Sequence, residues 1–186
     1  MTGAGSVEDD VRIRLFCALA LPDEVVEGVV GWQARLPHRD ARVVHPDNLH
    51  LTLAFLGHRP RRDVEPVAAE LEAAAATAAP MSFTVRSYRE TRSVGMLVFD
   101  DEGGAGAALA SDLHARLERL GVYEPERRPW LPHLTVVRFR ERPRLRPRLP
   151  QLGQVLPSGA AVYHSVLRPT GAQYVVLRDF RLGTGG

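Results

Sequence analysis

The sequence predicts an α+β fold of two similar lobes in one body, and three observations carry that prediction. Segments of strand and helix periodicity follow one another along the chain. The tetrad His-Leu-Thr-Leu in "DNLHLTLAFLG" returns as His-Leu-Thr-Val in "WLPHLTVVRF". No stretch between the copies reads as a free linker, so residues 1–186 are expected to form one domain.

Residues 1–10 read as a flexible leader. In "VRIRLFCALALP", Ile13, Leu15, Cys17 and Leu19 alternate with Arg14, Phe16, Ala18 and Ala20, which predicts a strand. Pro22 and Asp23 open a helix through "EVVEGVVGWQARL" that Pro37 stops. A loop containing "HRDARVVHPDN" leads to the first tetrad strand, "LHLTLAFLG", which Gly57 closes, and an alanine-rich helix then ends before Pro80. "MSFTVRSYRE" and "SVGMLVFD" are strands. "GAGAALASDLHARLERLG" is an amphipathic helix, with Leu109, Leu113, Leu117 and Leu120 at helical spacing. The loop "YEPERRPWLP" delivers the chain into the second tetrad strand, "HLTVVRF". "RERPRLRPRLP" is a basic loop, and "AAVYHSVLRP" and "AQYVVLRDFRL" form a closing hairpin with its turn at Pro169-Thr170-Gly171.

Composition excludes several classes. With 45% apolar and 25% charged residues the chain is ordinary for a water-soluble globule. Its longest apolar runs fall far short of the ~20 residues that span a bilayer. The N-terminus has neither the basic start nor the apolar run of a secretory signal, so the expected compartment is the cytoplasm. Cys17 is the only cysteine, which rules out an intrachain disulfide and reads as a small buried hydrophobe. A formal charge of +2 does not by itself mark a nucleic-acid binder. All 24 basic residues are arginine, so any bound phosphate must be held by guanidinium forks, imidazoles, hydroxyls or backbone amides.

In a strand, His50 and Thr52 share one face and Leu49, Leu51 and Leu53 the other. His133 and Thr135 stand likewise against Leu134 and Val136. Both tetrads are followed by an aromatic at a similar distance, Phe55 and Phe139. Two histidines on opposite sides of a cleft suit acid–base chemistry, since an imidazole with a pKa of about 6.5 serves as either partner at neutral pH. In-line displacement at a phosphodiester needs such a pair, and the threonine hydroxyls would hold the non-bridging oxygens.

These residues carry a resemblance to the two-histidine phosphoesterase superfamily, and within it to the RNA 2′,3′-cyclic phosphodiesterases, also known as 2′-5′ RNA ligases. It runs from "RLFCALALP" through both tetrads to "YHSVLRPTGAQYVVL". The chain departs from the commoner pattern at Asp47 and at Trp130-Leu131. The resemblance implies a bilobal pseudo-two-fold fold, with antiparallel sheets lining a central cleft and helices outside. It implies metal-independent hydrolysis of a 2′,3′-cyclic phosphate, on an RNA end or a nucleotide, to a 2′-phosphate, with His50 as proton donor and His133 as proton acceptor. Thr52 and Thr135 match the hydroxyls that hold the phosphate. Arg138 matches a family arginine, although strict alternation from His133 sends it to the opposite face unless the strand bulges. Phe16 is a candidate for base stacking or for packing in the cleft wall, and Ser165 is a further substrate-binding candidate. The alternatives are reversible 2′-5′ ligation in the same site and a binding module that turns nothing over.

His45 and His50 invite a metal reading, yet Pro46 breaks their geometry and neither tetrad supplies a carboxylate; no cofactor, membrane or obligate protein partner is expected. His38, His58, His114 and His164 read as surface or packing residues, with His58 within reach of the cleft rim. The arginines of "HRPRR" and "RERPRLRPRLP", Arg144, Arg146 and Arg148 among them, are candidates for holding flanking RNA phosphates.

Overall fold

Strand β1, Arg12–Ala20, enters the centre of the molecule, with Leu15, Cys17 and Leu19 fully buried on one side. Cys17 is packed there as a hydrophobe, and burial pushes its thiol up to about 12. The computed structural model describes residues 10–37, 41–169 and 171–183, so the expected leader, Asp10 apart, and with it His38 and Thr170 of the closing turn, lie outside the described residues. Helix α1, Asp23–Gln33, starts with Asp23 and Glu24 in its first turn, where carboxylates face the positive end of the helix dipole.

The segment expected as one loop holds a short strand, β2, Ala41–Val43, and a single 3₁₀ turn, Pro46–Asn48. Strand β3, His50–Pro60, runs past Gly57, whose φ of 69° bends it without ending it. A second 3₁₀ turn, Arg61–Asp63, therefore precedes helix α2, Val64–Ala76, which starts later than its alanine-rich sequence suggests. Strands β4, Ser82–Glu90, and β5, Val94–Glu102, lead to helix α3, Ala105–Arg119. Asp101 accepts from the Gly106 and Ala107 amides and so caps the start of α3. Leu109, Leu113 and Leu117 are buried, whereas Leu120 lies past the helix end and is 37% exposed. Strands β6, His133–Phe139, β7, Gly159–Arg168, and β8, Gly171–Phe180, complete the chain.

The strands form two antiparallel four-stranded sheets, ordered β3-β1-β7-β8 and β2-β6-β5-β4. The sheets are not successive halves of the chain. The closing hairpin returns to pair with β1, and β2 crosses to the sheet that β4, β5 and β6 build. The run β1-α1-β3 repeats as β5-α3-β6, each ending in a tetrad strand. Helices α1 and α3 each leave one sheet and pack against the tetrad strand of the other, α1 on β6 and α3 on β3, while α2 covers β7 and β8. One continuous hydrophobic cluster lies behind both sheets and unites the three helices. A small second cluster, Phe16, Ala18, Ala161 and Tyr163 with Tyr174 against it, covers the opposite face of the first sheet. The geometry is that of an α+β protein with two sheets facing a cleft.

Candidate active site

Cross-strand pairing decides which side chains reach the cleft. Ala20, Ala18 and Phe16 of β1 pair with His50, Thr52 and Phe55 of β3, so these three share a face. Strict alternation after Thr52 would have sent Phe55 to the core; instead the register shifts and Leu53 is an extra residue. Strand β6 does the same. Val98 and Met96 pair with His133 and Thr135, Val136 is extra, and Val94 pairs with Arg138, which joins the cleft face. The bulge resolves the conflict between alternation and the role implied for Arg138. It also corrects the aromatic correspondence: Phe139 is core, at 6% exposed, and the position matching Phe55, at 45% exposed, is Arg138.

The bulges are tied down from behind. The Leu53 carbonyl accepts from His114 Nε2 of α3 at 2.7 Å. The Val136 carbonyl accepts from Gln33 Nε2 of α1 at 2.7 Å and from the Val44 amide at 3.0 Å. The Thr52 carbonyl accepts from the Trp130 indole at 2.9 Å, so the loop before the second tetrad also holds the first.

Both tetrads converge on one cleft with two chambers. His50, Thr52, His133, Thr135, Arg42 and Arg138 line the first, of about 510 Å³, together with His45 and Tyr174. The second, of about 430 Å³, shares His50, Thr52, Arg42 and Arg138 and adds Arg14, Phe16, Phe55, Ser165 and Arg168. Among the described residues no carboxylate lines either chamber, and no three His, Cys, Asp or Glu side chains group closely enough to hold a metal ion. The Arg42 guanidinium lies over Gly171, where a Cβ would sit 2.9 Å from Nη2, and so spans the cleft from β2 to the closing hairpin.

The two histidines have unlike surroundings. His133 Nδ1 donates to the Leu131 carbonyl at 2.9 Å, which leaves Nε2 as the atom that exchanges protons. His50 is hydrogen-bonded to the backbone of Asn48 and ringed by Phe16, Tyr163 and Tyr174, at 4.8, 5.8 and 5.2 Å between centroids. Burial in this cage, with lesser repulsion from His133 and Arg138, lowers its pKa to about 4. At pH 7 His50 is therefore neutral in the free protein.

Other candidates fall as follows. Phe16 is 3% exposed and stacked on Tyr163 at 5.0 Å, which makes it part of the cleft wall; the open aromatic is Phe55, with the Arg14 guanidinium 4.9 Å from its centroid. Ser165 is buried in the wall of the second chamber. The proline-rich loop is a correction to the sequence reading: Arg144, Arg146 and Arg148 line neither chamber, because Glu90 draws the loop to β4 through the Arg144 and Leu145 amides and the Arg142 side chain. Arg14, Arg42, Arg138 and Arg168 line the cleft instead. Sequence reasoning missed Asn48, whose amide bonds Ala172 O and Tyr174 N and holds Tyr174 beside His50. It also missed Tyr163, Tyr174 and Arg42, which lie in strands with no motif.

The comparisons agree with this geometry. A family model described as LigT like Phosphoesterase matches residues 19–92. An RNA 2′,3′-cyclic phosphodiesterase of Thermus thermophilus is 35% identical over 182 residues, covering 91% of this chain and 90% of the relative. One from Escherichia coli K12 is 34% identical over 135 residues, covering 67% and 71%. A crystal structure from Thermus thermophilus superposes with a TM-score of 0.79 at 32% identity, covering 93% of this chain and all of the other. Escherichia coli LigT complexed with NADP+ gives 0.75 at 27% identity, covering 92% and 98%. Among the described residues no helix is long and apolar enough to cross a membrane. With identity above 30% over nine-tenths of both chains, this protein belongs to the LigT-like, two-histidine family of phosphoesterases and is an enzyme of the phosphodiesterase class.

Proposed function

We propose that the cleft hydrolyses a 2′,3′-cyclic phosphate, on an RNA end or a nucleotide, to a 2′-phosphate, with His50 as proton donor and His133 as proton acceptor. One observation carries this reading: two sheets each present an imidazole and a hydroxyl to one cavity whose permanently charged lining groups, among the described residues, are all arginines. The names of the Thermus and Escherichia relatives support the substrate class.

With its Nδ1 proton committed to Leu131, His133 takes a proton from water at Nε2 as the oxygen attacks phosphorus. The bond from phosphorus to O3′ breaks, and His50 supplies the proton that O3′ needs. Thr52, Thr135 and Arg138 hold the non-bridging oxygens, on which negative charge grows in the transition state. Burial keeps His50 neutral in the free protein, so it takes up its proton from solvent as the phosphate anion binds beside it and stabilises the imidazolium against that burial.

The test is incubation with adenosine 2′,3′-cyclic phosphate in excess EDTA, separating 2′-AMP from 3′-AMP, with His50→Ala and His133→Ala alongside. Exclusive 2′-AMP that vanishes in both variants is the expected result. No turnover by the wild type, on cyclic-phosphate-ended RNA as well, would overturn it and leave the tetrads as a ligand clamp.

A further inference from the structure

We propose that His114 and Gln33 are positioning residues for this reaction, each holding the bulge that turns the fifth residue after a tetrad histidine into the cleft. The proposal rests on the functional reading above. Its evidence is a correspondence that neither fold stability nor the tetrads require. The extra residue stands three positions after the histidine in both strands, Leu53 after His50 and Val136 after His133. In each case its carbonyl accepts, at 2.7 Å, from a side-chain nitrogen on the helix that crosses from the other sheet. Both donors lie on the helix between the first strand and the tetrad strand, Gln33 as the eleventh residue of α1 and His114 as the tenth of α3.

The two clamps do not carry equal loads. Without the bulge in β6, Arg138 would face the core, where burying a guanidinium is prohibitive, and the Val44 amide holds the same carbonyl. That bulge is over-determined. Without the bulge in β3, Phe55 would turn inward and Ala54 outward, an exchange that burial of apolar surface favours. Strand β3 is also the edge of its sheet. His114, braced on Tyr123 at 4.7 Å, therefore works against a competing register, whereas Gln33 reinforces one that is already secure.

The test pairs single variants with double-mutant cycles, reading kcat and KM separately on cyclic-phosphate-ended RNA and following folding by circular dichroism. His114→Ala is expected to lower kcat/KM roughly 10- to 100-fold, the scale of an ångström of misplacement, mainly through KM. His114→Gln, whose amide nitrogen reaches the place of Nε2, should recover most of the loss. Gln33→Met should cost only severalfold. The effect of His114→Ala should largely disappear in a Phe55→Ala background, and that of Gln33→Met in an Arg138→Ala background. If His114→Ala does not fold, His114→Asn, whose amide falls short of the carbonyl, replaces it in the cycle. Additive cycles, or a glutamine no better than alanine, would overturn the clamp while leaving the cleft reading intact. A wild type without turnover would overturn both.

Discussion

Strand β3 lies at the edge of one sheet and β6 in the interior of the other, yet both insert an extra residue after the threonine and both aim the histidine, the threonine and the fifth residue at the cleft. What differs is the company each histidine keeps. His50 is enclosed by three aromatic rings, while His133 stands half-buried beside the Leu131 carbonyl. The fifth residue is a phenylalanine on one side and an arginine on the other. A near-symmetric backbone thus carries an asymmetric site. Packing around His50 lowers its proton affinity in the free protein, and the donor role proposed for it requires the bound phosphate to reverse that shift.

The largest expected effect breaks the pair. His50→Ala and His133→Ala should each reduce kcat/KM roughly 10²- to 10⁴-fold. The double variant should be little worse than either single, because donor and acceptor work as a unit. Steady-state kinetics on adenosine 2′,3′-cyclic phosphate checks this; losses that multiply would mean the histidines act independently.

A smaller effect separates the two fifth positions. Arg138→Ala should lower kcat by roughly 10²-fold, the cost of removing one donor to a charged transition state, and Arg138→Lys should recover little because a point charge does not reproduce the fork. Phe55→Ala should raise KM roughly 10- to 100-fold, the scale of one lost base stack, and leave kcat nearly unchanged. Equal effects on kcat would erase the proposed division between holding phosphate and holding the nucleotide.

The pH profile sharpens the comparison of the histidines. With His50 lowered to about 4 by burial, the free protein keeps one imidazole neutral well below the ordinary range. The acid limb of kcat/KM should therefore fall near pH 4, where His50 titrates in the free protein. Tyr174→Ser opens the cage, raises the His50 pKa toward 6.5 and moves the limb to higher pH. A limb that stays put would mean the rings do not set the shift. The same burial makes His50 a source of acid lability: an unfolded chain binds its proton below about pH 6.5 and the folded one only near 4, so stability from this group is full above 6.5 and is lost as pH falls through that window.

Much of this was legible in the sequence because the signal was local. A tetrad whose alternate residues are wholly apolar specifies a strand and a face, and both tetrads present the faces they predict. The core side of β1, the amphipathic helix α3 and the hydrophobic role of Cys17 followed from the same periodicity. What alternation could not supply was the bulge: nothing in "HLTLAF" or "HLTVVR" marks the extra residue, because its cause is a donor from a helix distant in sequence. The aromatic cage was hidden for a related reason, since Phe16, Tyr163 and Tyr174 meet only when the last hairpin returns beside β1. The basic loop misled because charge density in sequence says nothing of direction, and Glu90 holds that loop away from the cleft walls.

That misdirection yields the smallest expected effect. Arg14 and Arg168 line only the second chamber, beside Phe55, and among the described residues share its rim with no carboxylate. If the chain preceding the cyclic phosphate passes over this chamber, its phosphates meet these guanidinium groups, and the contribution is long-range, independent of base and screened by salt. Arg14→Gln with Arg168→Gln should raise KM for a cyclic-phosphate-ended RNA severalfold and flatten its dependence on salt, while turnover of adenosine 2′,3′-cyclic phosphate stays within about twofold. The matched control is Arg144→Gln with Arg146→Gln and Arg148→Gln, which changes more charge but does so away from the cleft. If the control weakens RNA turnover more than the cleft pair does, the RNA follows the proline-rich loop and the second chamber is not its track. If only the cleft pair responds, the asymmetry at the fifth position extends outward, with the side that carries Phe55 guiding the chain and the side that carries Arg138 holding the reacting phosphate.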